Sequence, residues 1–132
     1  MKRILIIDDA STVRSYHRQI LEHAHFSVEE AINGFEALEK CWLTPFDLLL
    51  VDLNMPTMDG LAFLRELRSQ PQLHQAPAVI VSTESMQKMQ WQILVAGANF
   101  SLTKPVKPAL LIALTCLLTG SHYEPIAEPV LS

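Results

Sequence analysis

The feature that most constrains the fold of this chain is a regular alternation of short apolar runs with longer segments of helical periodicity. The predicted strands are 4–7, 26–31, 46–51, 78–81 and 99–103, and the predicted helices are 11–24, 35–42, 61–69, 84–96 and 107–118. Strict alternation of strand and helix predicts a parallel sheet with helices on both faces and right-handed crossovers. With five strands and five helices, a flavodoxin-like, doubly wound α/β fold of strand order 2-1-3-4-5 is the leading candidate.

Local signals mark the ends of these elements. The unbroken apolar run at 4–7 is typical of a strand buried on both faces, whereas the weak alternation at 26–31 indicates an outer strand. Ser11 is the expected N-cap of the first helix, Pro45 breaks the chain after the second, and Gly97 is expected just after the fourth. In the loop at 55–60, Asp59-Gly60 is interpreted as a turn and helix start without a chemical role.

Composition and charge limit the size of the protein and the kind of partner it binds. About half of the 132 residues are apolar, which suits one domain, predicted at 1–118 and followed by a tail at 119–132. The net charge of −4 favours neither a nucleic-acid partner nor an anionic membrane. Apolar stretches are too short for a signal peptide or a bilayer span, so a cytoplasmic protein with two reduced thiols, Cys41 and Cys116, is expected.

Polar residues collect where the predicted strands end. In an open parallel sheet, functional residues gather past the carboxyl ends of the strands, at the point where the strand order reverses. Asp8-Asp9 follows the first strand and Asp52 follows the third, so three carboxylates are expected to converge there. The residues that follow the fourth and fifth strands are Ser82-Thr83 and Lys104-Pro105.

This combination of residue types indicates phosphoryl transfer. Three clustered carboxylates repel one another unless a cation compensates them. Oxygen ligands at this density suit Mg²⁺. The lysine and the hydroxyl groups that arrive from the next two strands are donors for an anion. A metal, a nucleophilic carboxylate, a cationic clamp and a hydroxyl donor are together the parts of a phosphoryl-transfer site.

Five sequence segments carry a family resemblance. They are I-I-D-D at 6–9, V-D-L-N-M-P-x-M-D-G at 51–60, V-S-T-E-S at 81–85, G-A at 97–98 and K-P at 104–105. From residue 2 to about residue 118 the chain resembles the response-regulator receiver family, and its motif spacings resemble those of stand-alone, CheY-like chemotaxis receivers. The resemblance implies a single-domain response regulator of a two-component phosphorelay, which is a signalling switch and not a metabolic enzyme.

The resemblance also implies a role for each site residue. Asp52 would accept a phosphoryl group from a histidine of a sensor kinase or phosphotransfer protein. Lys104 would pair with a phosphoryl oxygen. Ser82 would supply the hydroxyl group that moves toward the phosphoryl group, and Thr83 is the alternative if the strand register differs by one residue.

The remaining implied roles concern the metal and the hydrolytic water. Asn54 and Glu84 are expected to flank the path of the water that removes the phosphoryl group. The Lys104–Pro105 peptide bond is expected to be cis. The Mg²⁺ ligands implied by the resemblance are Asp8, Asp9, Asp52 and the backbone carbonyl of Asn54.

One position departs from the family pattern. Receivers usually carry an aromatic residue three positions before the lysine, where this chain has Ser101, and the aromatic Phe100 lies one residue earlier. Because a one-residue shift in a strand turns the side chain to the opposite face, Phe100 substitutes only if the strand carries a bulge. Trp91 is an alternative carrier of the signal.

The two helices that flank this strand expose apolar residues. The last helix is apolar almost all round and therefore needs cover. Three kinds of cover are compatible with the sequence: the 119–132 tail, a second copy of the chain in a homodimer, or a downstream protein that binds the helix 4–strand 5–helix 5 face. Trp91 and Val95 lie opposite the predicted core stripe of the fourth helix, which consists of Met86, Met89, Ile93 and Gly97.

Two other functions stay open at this point. A phosphohydrolase with a nucleophilic aspartate usually has an acid/base aspartate two residues later, where this chain has Asn54, and no cap segment for a substrate is evident. A degenerate receiver that acts as a phosphate sink or a constitutive interaction module is the other alternative, because Ser101 replaces the usual aromatic residue.

Overall fold

Five parallel strands form one sheet in the order β2-β1-β3-β4-β5, which confirms the flavodoxin-like prediction. The structure is a computed structural model, and it describes residues 1–83 and 88–123. The strands are β1 Arg3–Ile7, β2 Ser27–Ala31, β3 Leu48–Asp52, β4 Ala78–Ser82 and β5 Phe100–Thr103. The helices are α1 Ser11–His23, α2 Gly34–Leu43, α3 Gly60–Arg68, α4 Gln90–Ala96 and α5 Pro108–Thr119.

The sheet separates two apolar layers. Alternate residues of the central strands point to opposite faces, so Leu5 and Ile7 pack under α2, α3 and α4, while Ile4 and Ile6 pack under α1 and α5. Every residue of β3 and β4 is buried, as expected of parallel strands covered on both sides. Each fully buried aliphatic side chain contributes about 1.5–3 kcal/mol relative to exposure. The sheet is therefore a rigid base for the loops at its carboxyl edge.

Side chains order the starts of α1, α2 and α3, but not always the side chains that the sequence predicts. Ser11 was the expected N-cap of α1, and this prediction is wrong: α1 begins at Ser11, and its N-cap, Ala10, makes no side-chain capping bond. The Asp8 carboxylate instead accepts a hydrogen bond from the amide of Ala10 at 2.9 Å, which orders the turn before the helix. Asn33 and Asp59 do cap α2 and α3 with their side chains.

The fourth helix is shorter than its sequence pattern predicts. Its predicted start, Glu84, lies outside the described residues, and Lys88 and Met89 form a turn before α4 begins at Gln90. Both are good helix formers, but helix propensity is a weak preference that tertiary context overrides. Gly97 has a φ of +106° and ends the helix in the left-handed conformation, as predicted. The other element boundaries lie within two residues of the predictions.

The last helix and the residues after it close one face of the sheet. Gly120, with a φ of +70°, ends α5, and Tyr123 packs partly buried against the layer under α1 and α5. Cys116 is buried and Cys41 half-buried, and both are free thiols. None of the helices in the described ranges has the length and apolarity that a bilayer crossing requires.

Candidate functional site

Three carboxylates meet at the carboxyl edge of the sheet. Asp8 and Asp9 follow β1, and Asp52 is the last residue of β3. Ile7 pairs with Val51 in the parallel ladder, so Asp8 lies beside Asp52. One carboxylate oxygen from each of the three residues lies within 4.8 Å of the other two, and we call this group the acidic cluster. Asp8 and Asp52 are buried, whereas Asp9 is exposed.

A lysine from the far side of the sheet completes the cluster. The Nζ atom of Lys104 lies 3.1 Å from Oδ2 of Asp8 and 3.1 Å from Oδ1 of Asp52. Its backbone amide donates to the carbonyl oxygen of Ser82 at 2.7 Å, which ties the loop after β5 to the end of β4. The Lys104–Pro105 peptide bond is cis, as the family resemblance implies. Sequence-distant residues thus converge as the strand order predicts.

The electrostatics of the site favour a cation. Burial raises the pKa of Asp52, and the negative charge of Asp8 raises it further, although the contact with Lys104 acts in the opposite direction. Burial lowers the pKa of Lys104, but its hydrogen bonds to Asp8 and Asp52 outweigh this effect, so the pKa is raised and the ammonium stays charged. When all three carboxylates are ionised, one ammonium leaves two negative charges uncompensated.

The other predicted site residues surround the cluster. Ser82 is fully buried at the end of β4, one residue after Val81, which pairs with Asp52. Thr83 is exposed next to it, and Asn54 is exposed in the loop two residues beyond Asp52. Their roles stay predictions. Glu84 lies outside the described residues.

Gly60 is a site residue that the sequence interpretation missed. It is the first residue of α3, and its amide donates to the carbonyl oxygen of Leu53 at 3.1 Å. A Cβ atom at this position would lie 2.4 Å from the backbone carbonyl oxygen of Asp52. The Asp-Gly pair signals a turn in the sequence, but nothing local in the sequence shows that the turn packs on the backbone of Asp52.

A cavity of about 370 Å³ opens beside the cluster, between α1 and the loop after β5. The hydroxyl group of Tyr16 donates to the carbonyl oxygen of Val106 at 3.1 Å and joins its two sides. The buried His17 also lines it; burial lowers the pKa of this imidazole, the charge of Asp8 opposes that effect, and the charge of Lys104 adds to it. The residues lining the cavity are Thr12, Val13, Tyr16, His17, Thr83, Lys104, Pro105 and Val106.

The strand that lacks the expected aromatic residue carries no bulge. The β4–β5 register runs continuously, pairing Val79 with Phe100 and Ile80 with Ser101. Phe100 therefore points to the opposite face from Ser101 and does not substitute for the missing aromatic residue. Ser101 instead lines a cavity of about 160 Å³ between β5 and α4.

Apolar side chains are exposed on α4, β5 and α5. Trp91 is 76% exposed, which agrees with its predicted position opposite the core stripe of α4. The predicted stripe is present at Ile93, which is buried, and at Met89, which is partly buried; Met86 lies outside the described residues. We call the exposed set the outer apolar surface; it consists of Trp91, Leu94, Val95, Phe100, Leu110 and Leu117.

The fold and the site together define a doubly wound α/β domain with an acidic, lysine-bridged cluster at the switch point of its sheet. The sequence profile of the response regulator receiver domain matches residues 4–115. The chain therefore belongs to the response regulator receiver domain family of two-component signalling systems, as the motifs implied.

The similar proteins include regulators of chemotaxis, gliding motility and transcription. The chemotaxis protein CheY-3 of Vibrio cholerae is 32% identical over 110 residues, which cover 83% of this chain and 85% of that protein. A gliding motility regulatory protein of Myxococcus xanthus is 34% identical over 102 residues, 77% of this chain, and the transcriptional regulator ResD of Bacillus subtilis is 31% identical over 106 residues, 80% of this chain. The chain spans only 13% and 43% of the length of those two proteins.

Solved structures show the same fold. The chemotaxis protein CheY4 of Vibrio cholerae superimposes with a TM-score of 0.84 at 31% identity, covering 89% of this chain and 98% of that one. The receiver domain of a sensor histidine kinase from Pseudomonas aeruginosa gives a TM-score of 0.83 at 26% identity, covering 91% and 98%. That structure contains a magnesium ion coordinated in its active-site cleft.

Proposed function

We propose that this chain is a response regulator that works as a single receiver domain of a two-component phosphorelay. Asp52 accepts a phosphoryl group from the phosphohistidine of a sensor kinase or phosphotransfer protein, with Mg²⁺ as cofactor, and the domain then changes its protein contacts. The observation that carries the proposal is the Lys104 ammonium, 3.1 Å from both Asp8 and Asp52, inside a cluster of three carboxylates. A nucleophilic carboxylate and a cation for a phosphoryl oxygen are thereby already side by side.

The acidic cluster fits Mg²⁺. Its donors are all oxygens, it carries an excess of negative charge, and a related receiver domain holds magnesium in its active-site cleft. When bound, Mg²⁺ neutralises charge on the transferring phosphoryl group. The residues that would hold it are Asp8, Asp9, Asp52 and the backbone carbonyl of Asn54.

In the chemical step, the side chains of this chain supply a nucleophilic carboxylate, a hydroxyl hydrogen-bond donor and an ammonium group for a phosphoryl oxygen. An Oδ atom of Asp52 attacks the phosphorus atom, the phosphorus–nitrogen bond to the donor histidine breaks, and the released imidazole nitrogen takes up a proton. Lys104 exchanges its contact with Asp52 for one with a phosphoryl oxygen, and Ser82 or Thr83 donates a hydroxyl hydrogen bond to another. Water later hydrolyses the acyl phosphate. The chain thus catalyses only its own phosphorylation and dephosphorylation.

The signal leaves through the outer apolar surface. A change in the contacts of Lys104 and Ser82 acts on β4 and β5, which share apolar layers with α4 and α5. Because Ser101 leaves a cavity where receivers usually have an aromatic side chain, Trp91 and its neighbours carry the message instead. The partner is a downstream protein or a second copy of the chain. The switch is the predicted domain 1–118, extended by Thr119 at the end of α5. Of the predicted tail at 119–132, residues 124–132 lie outside the described residues. The protein acts in the cytoplasm.

Phosphorylation can be tested directly. The chain is incubated with acetyl phosphate and Mg²⁺ and analysed by intact mass spectrometry, with Asp52→Asn as the control. We expect one phosphoryl adduct that Asp52→Asn abolishes. A folded wild-type chain without an adduct would support the degenerate receiver, and multiple-turnover hydrolysis of small phosphate esters would support the phosphohydrolase.

The route of the signal needs a separate measurement. Beryllofluoride with Mg²⁺ mimics the phosphorylated state, and tryptophan fluorescence reports the change. Trp42→Phe leaves Trp91 as the only tryptophan, and Trp91→Phe leaves Trp42, which lies on α2. We expect the response to persist in Trp42→Phe and to disappear in Trp91→Phe. A response that follows Trp42 would contradict the proposed route.

A further inference from the structure

An arginine of α1 holds the turn that carries the first two carboxylates. The Nη1 atom of Arg14 donates to the backbone carbonyl oxygen of Asp8 at 2.7 Å. This carbonyl belongs to the peptide group that joins Asp8 to Asp9. On the other side, the amide of Asp8 donates to the carbonyl oxygen of Ala31 at 3.1 Å. Both peptide groups of Asp8 are therefore held, one by the sheet and one by Arg14.

The guanidinium is itself held by a carboxylate of the neighbouring strand. The Nε atom of Arg14 lies 2.7 Å from Oε1 of Glu30 in β2, and only 14% of the Arg14 side chain is exposed. Glu30 also pairs with Arg18, 3.0 Å from its other carboxylate oxygen. Lys40 of α2 donates to the backbone carbonyl of Glu30 at 2.6 Å. The guanidinium group of Arg14 is thus fixed between the carboxylate of Glu30 in β2 and the backbone of the Asp8–Asp9 turn.

We propose that Arg14 is a positioning residue for the metal site, which rests on the proposed function of the acidic cluster. By fixing the plane of the Asp8–Asp9 peptide group, Arg14 sets the directions in which the two carboxylates leave the backbone. Mg²⁺ demands near-ideal octahedral geometry, so its affinity depends on these directions. Groups that orient metal ligands typically change metal affinity about 10–100-fold when they are replaced.

The charge of Arg14 and its positioning role predict opposite changes in Mg²⁺ affinity when Arg14 is replaced. Removal of a positive charge close to the acidic cluster would tighten the binding of Mg²⁺ if charge alone mattered. If Arg14 positions the ligands, its removal weakens binding despite the more favourable charge. Arg14→Lys separates the two effects further, because it keeps the charge but replaces the planar fork with a point charge.

The experiment is a Mg²⁺ titration of the full chain by calorimetry, with NMR of the backbone amides in parallel. We expect binding about tenfold weaker in Arg14→Gln and several-fold weaker in Arg14→Lys, with the amide of Asp9 shifted before metal is added. The matched control is Arg18→Gln, which loses ion pairs to Glu22 and Glu30 and a hydrogen bond to the Val28 carbonyl. Arg18 has no hydrogen bond or ion pair to Asp8 among the described residues. Binding by this variant is expected to match the wild type.

The outcomes separate this inference from the proposed function. A folded wild-type chain that does not bind Mg²⁺ would overturn the proposed metal site itself. If the wild type binds Mg²⁺ and both Arg14→Gln and Arg14→Lys bind it equally well or more tightly, the positioning role alone is overturned. Equal weakening in Arg18→Gln would also overturn it, because the effect would then follow general damage to the Glu30 network. If Arg14→Gln does not fold, Arg14→Lys decides.

Discussion

Gly60→Ala tests whether the start of α3 packs directly against the backbone of β3, the strand that ends in Asp52. The new Cβ atom would lie 2.4 Å from the carbonyl oxygen of Asp52 and 3.1 Å from Cγ1 of Val51. Contacts below 3.0 Å are essentially never seen for real Cβ atoms, so the backbone must separate by about 0.6 Å. Because the obstructing atom belongs to the backbone of a central strand, it cannot move away by rotation of a side chain.

The expected cost follows from this contact. Overpacking of a tightly packed interior costs about 1–3 kcal/mol, and we expect the upper end of the range because backbone is displaced. Replacement of glycine by alanine returns about 0.4–1 kcal/mol by restricting the unfolded chain. The net loss is therefore about 2 kcal/mol. The unfolding entropy of a 132-residue chain is about 0.28 kcal/mol/K, so the midpoint of thermal unfolding is expected to fall by about 7 °C.

Gly34→Ala is a matched control. Gly34 and Gly60 are both buried first residues of a helix, and each follows an N-cap, Asn33 or Asp59, whose side chain accepts a backbone hydrogen bond. At Gly34 the new Cβ atom would meet Cγ and Sδ of Met58 at 2.7 Å, and rotation of this flexible side chain removes both contacts. The Cβ atom of Met58, at 3.0 Å, has to give way by only a few tenths of an ångström. We expect a change in unfolding free energy within about 0.5 kcal/mol.

The two variants are compared by urea and thermal unfolding without added metal. Phosphorylation by acetyl phosphate is then measured on the folded fraction of each. We expect Gly60→Ala to be less stable and to react more slowly, because the backbone of Asp52 has moved, and Gly34→Ala to resemble the wild type in both respects. Equal stabilities of the two variants, within about 0.5 kcal/mol, would refute the argument that the carbonyl of Asp52 is the obstructing atom.

Three further predictions concern the charges of the site. Because burial and then the charge of Asp8 raise the pKa of Asp52, ionisation of this carboxyl destabilises the fold as the pH rises above its ordinary pKa of 3.8. Asp52→Asn should therefore raise the thermal midpoint at pH 7 but not below pH 3.8, and a lower midpoint at pH 7 would contradict this sign. Burial lowers the pKa of Lys104, but the hydrogen bonds of Lys104 to the two carboxylates outweigh burial, so the pKa is raised. The stability that charged Lys104 contributes is therefore fully present below its ordinary pKa of 10.5 and is lost as the pH rises through the raised pKa. Lys104→Met should be less stable at neutral pH and should lack this alkaline loss in a pH series of urea unfolding. Mg²⁺ at a hundred times its dissociation constant should add about 2.7 kcal/mol to the unfolding free energy of the wild type. The same Mg²⁺ concentration should stabilise Asp9→Asn clearly less. An unfolding free energy of the wild type that does not change with Mg²⁺ would argue against the metal site.

The fold and the centre of the site could be predicted because both follow from patterns along the chain. Alternation of apolar runs and helical segments determines the strand order, and the strand order brings Asp8, Asp52 and Lys104 to one edge of the sheet. Side-chain periodicity also places Trp91 on the outside of α4. These features depend on the order of the strands and helices, and this order is predicted correctly even when the end of an element is misplaced by one or two residues.

The missed features depend on contacts that no local pattern encodes. Arg14 is one of two arginines on α1, and its hydrogen bond to the Asp8 carbonyl oxygen distinguishes it from Arg18. Gly60 is required because α3 approaches β3 so closely that a Cβ atom would meet the carbonyl oxygen of Asp52. The φ angle of Gly60 is not positive, so the residue has no conformational signature of its own. Serine is a common N-cap, so the sequence favours Ser11 as the cap of α1, but the nearby carboxylate of Asp8 orders the turn before the helix instead.

The contact of Lys104 with Asp8 joins positions 96 residues apart in the chain. If the protein were divided in the loop between α3 and β4, at 69–77, the amino-terminal piece would keep all three carboxylates and the carboxyl-terminal piece would keep the lysine. Neither fragment alone has the bridged cluster, so pairing of β3 with β4 in a complemented protein would restore it. If Asp52 accepts a phosphoryl group as proposed, recovery of the adduct in the complemented protein would report that the sheet has reassembled.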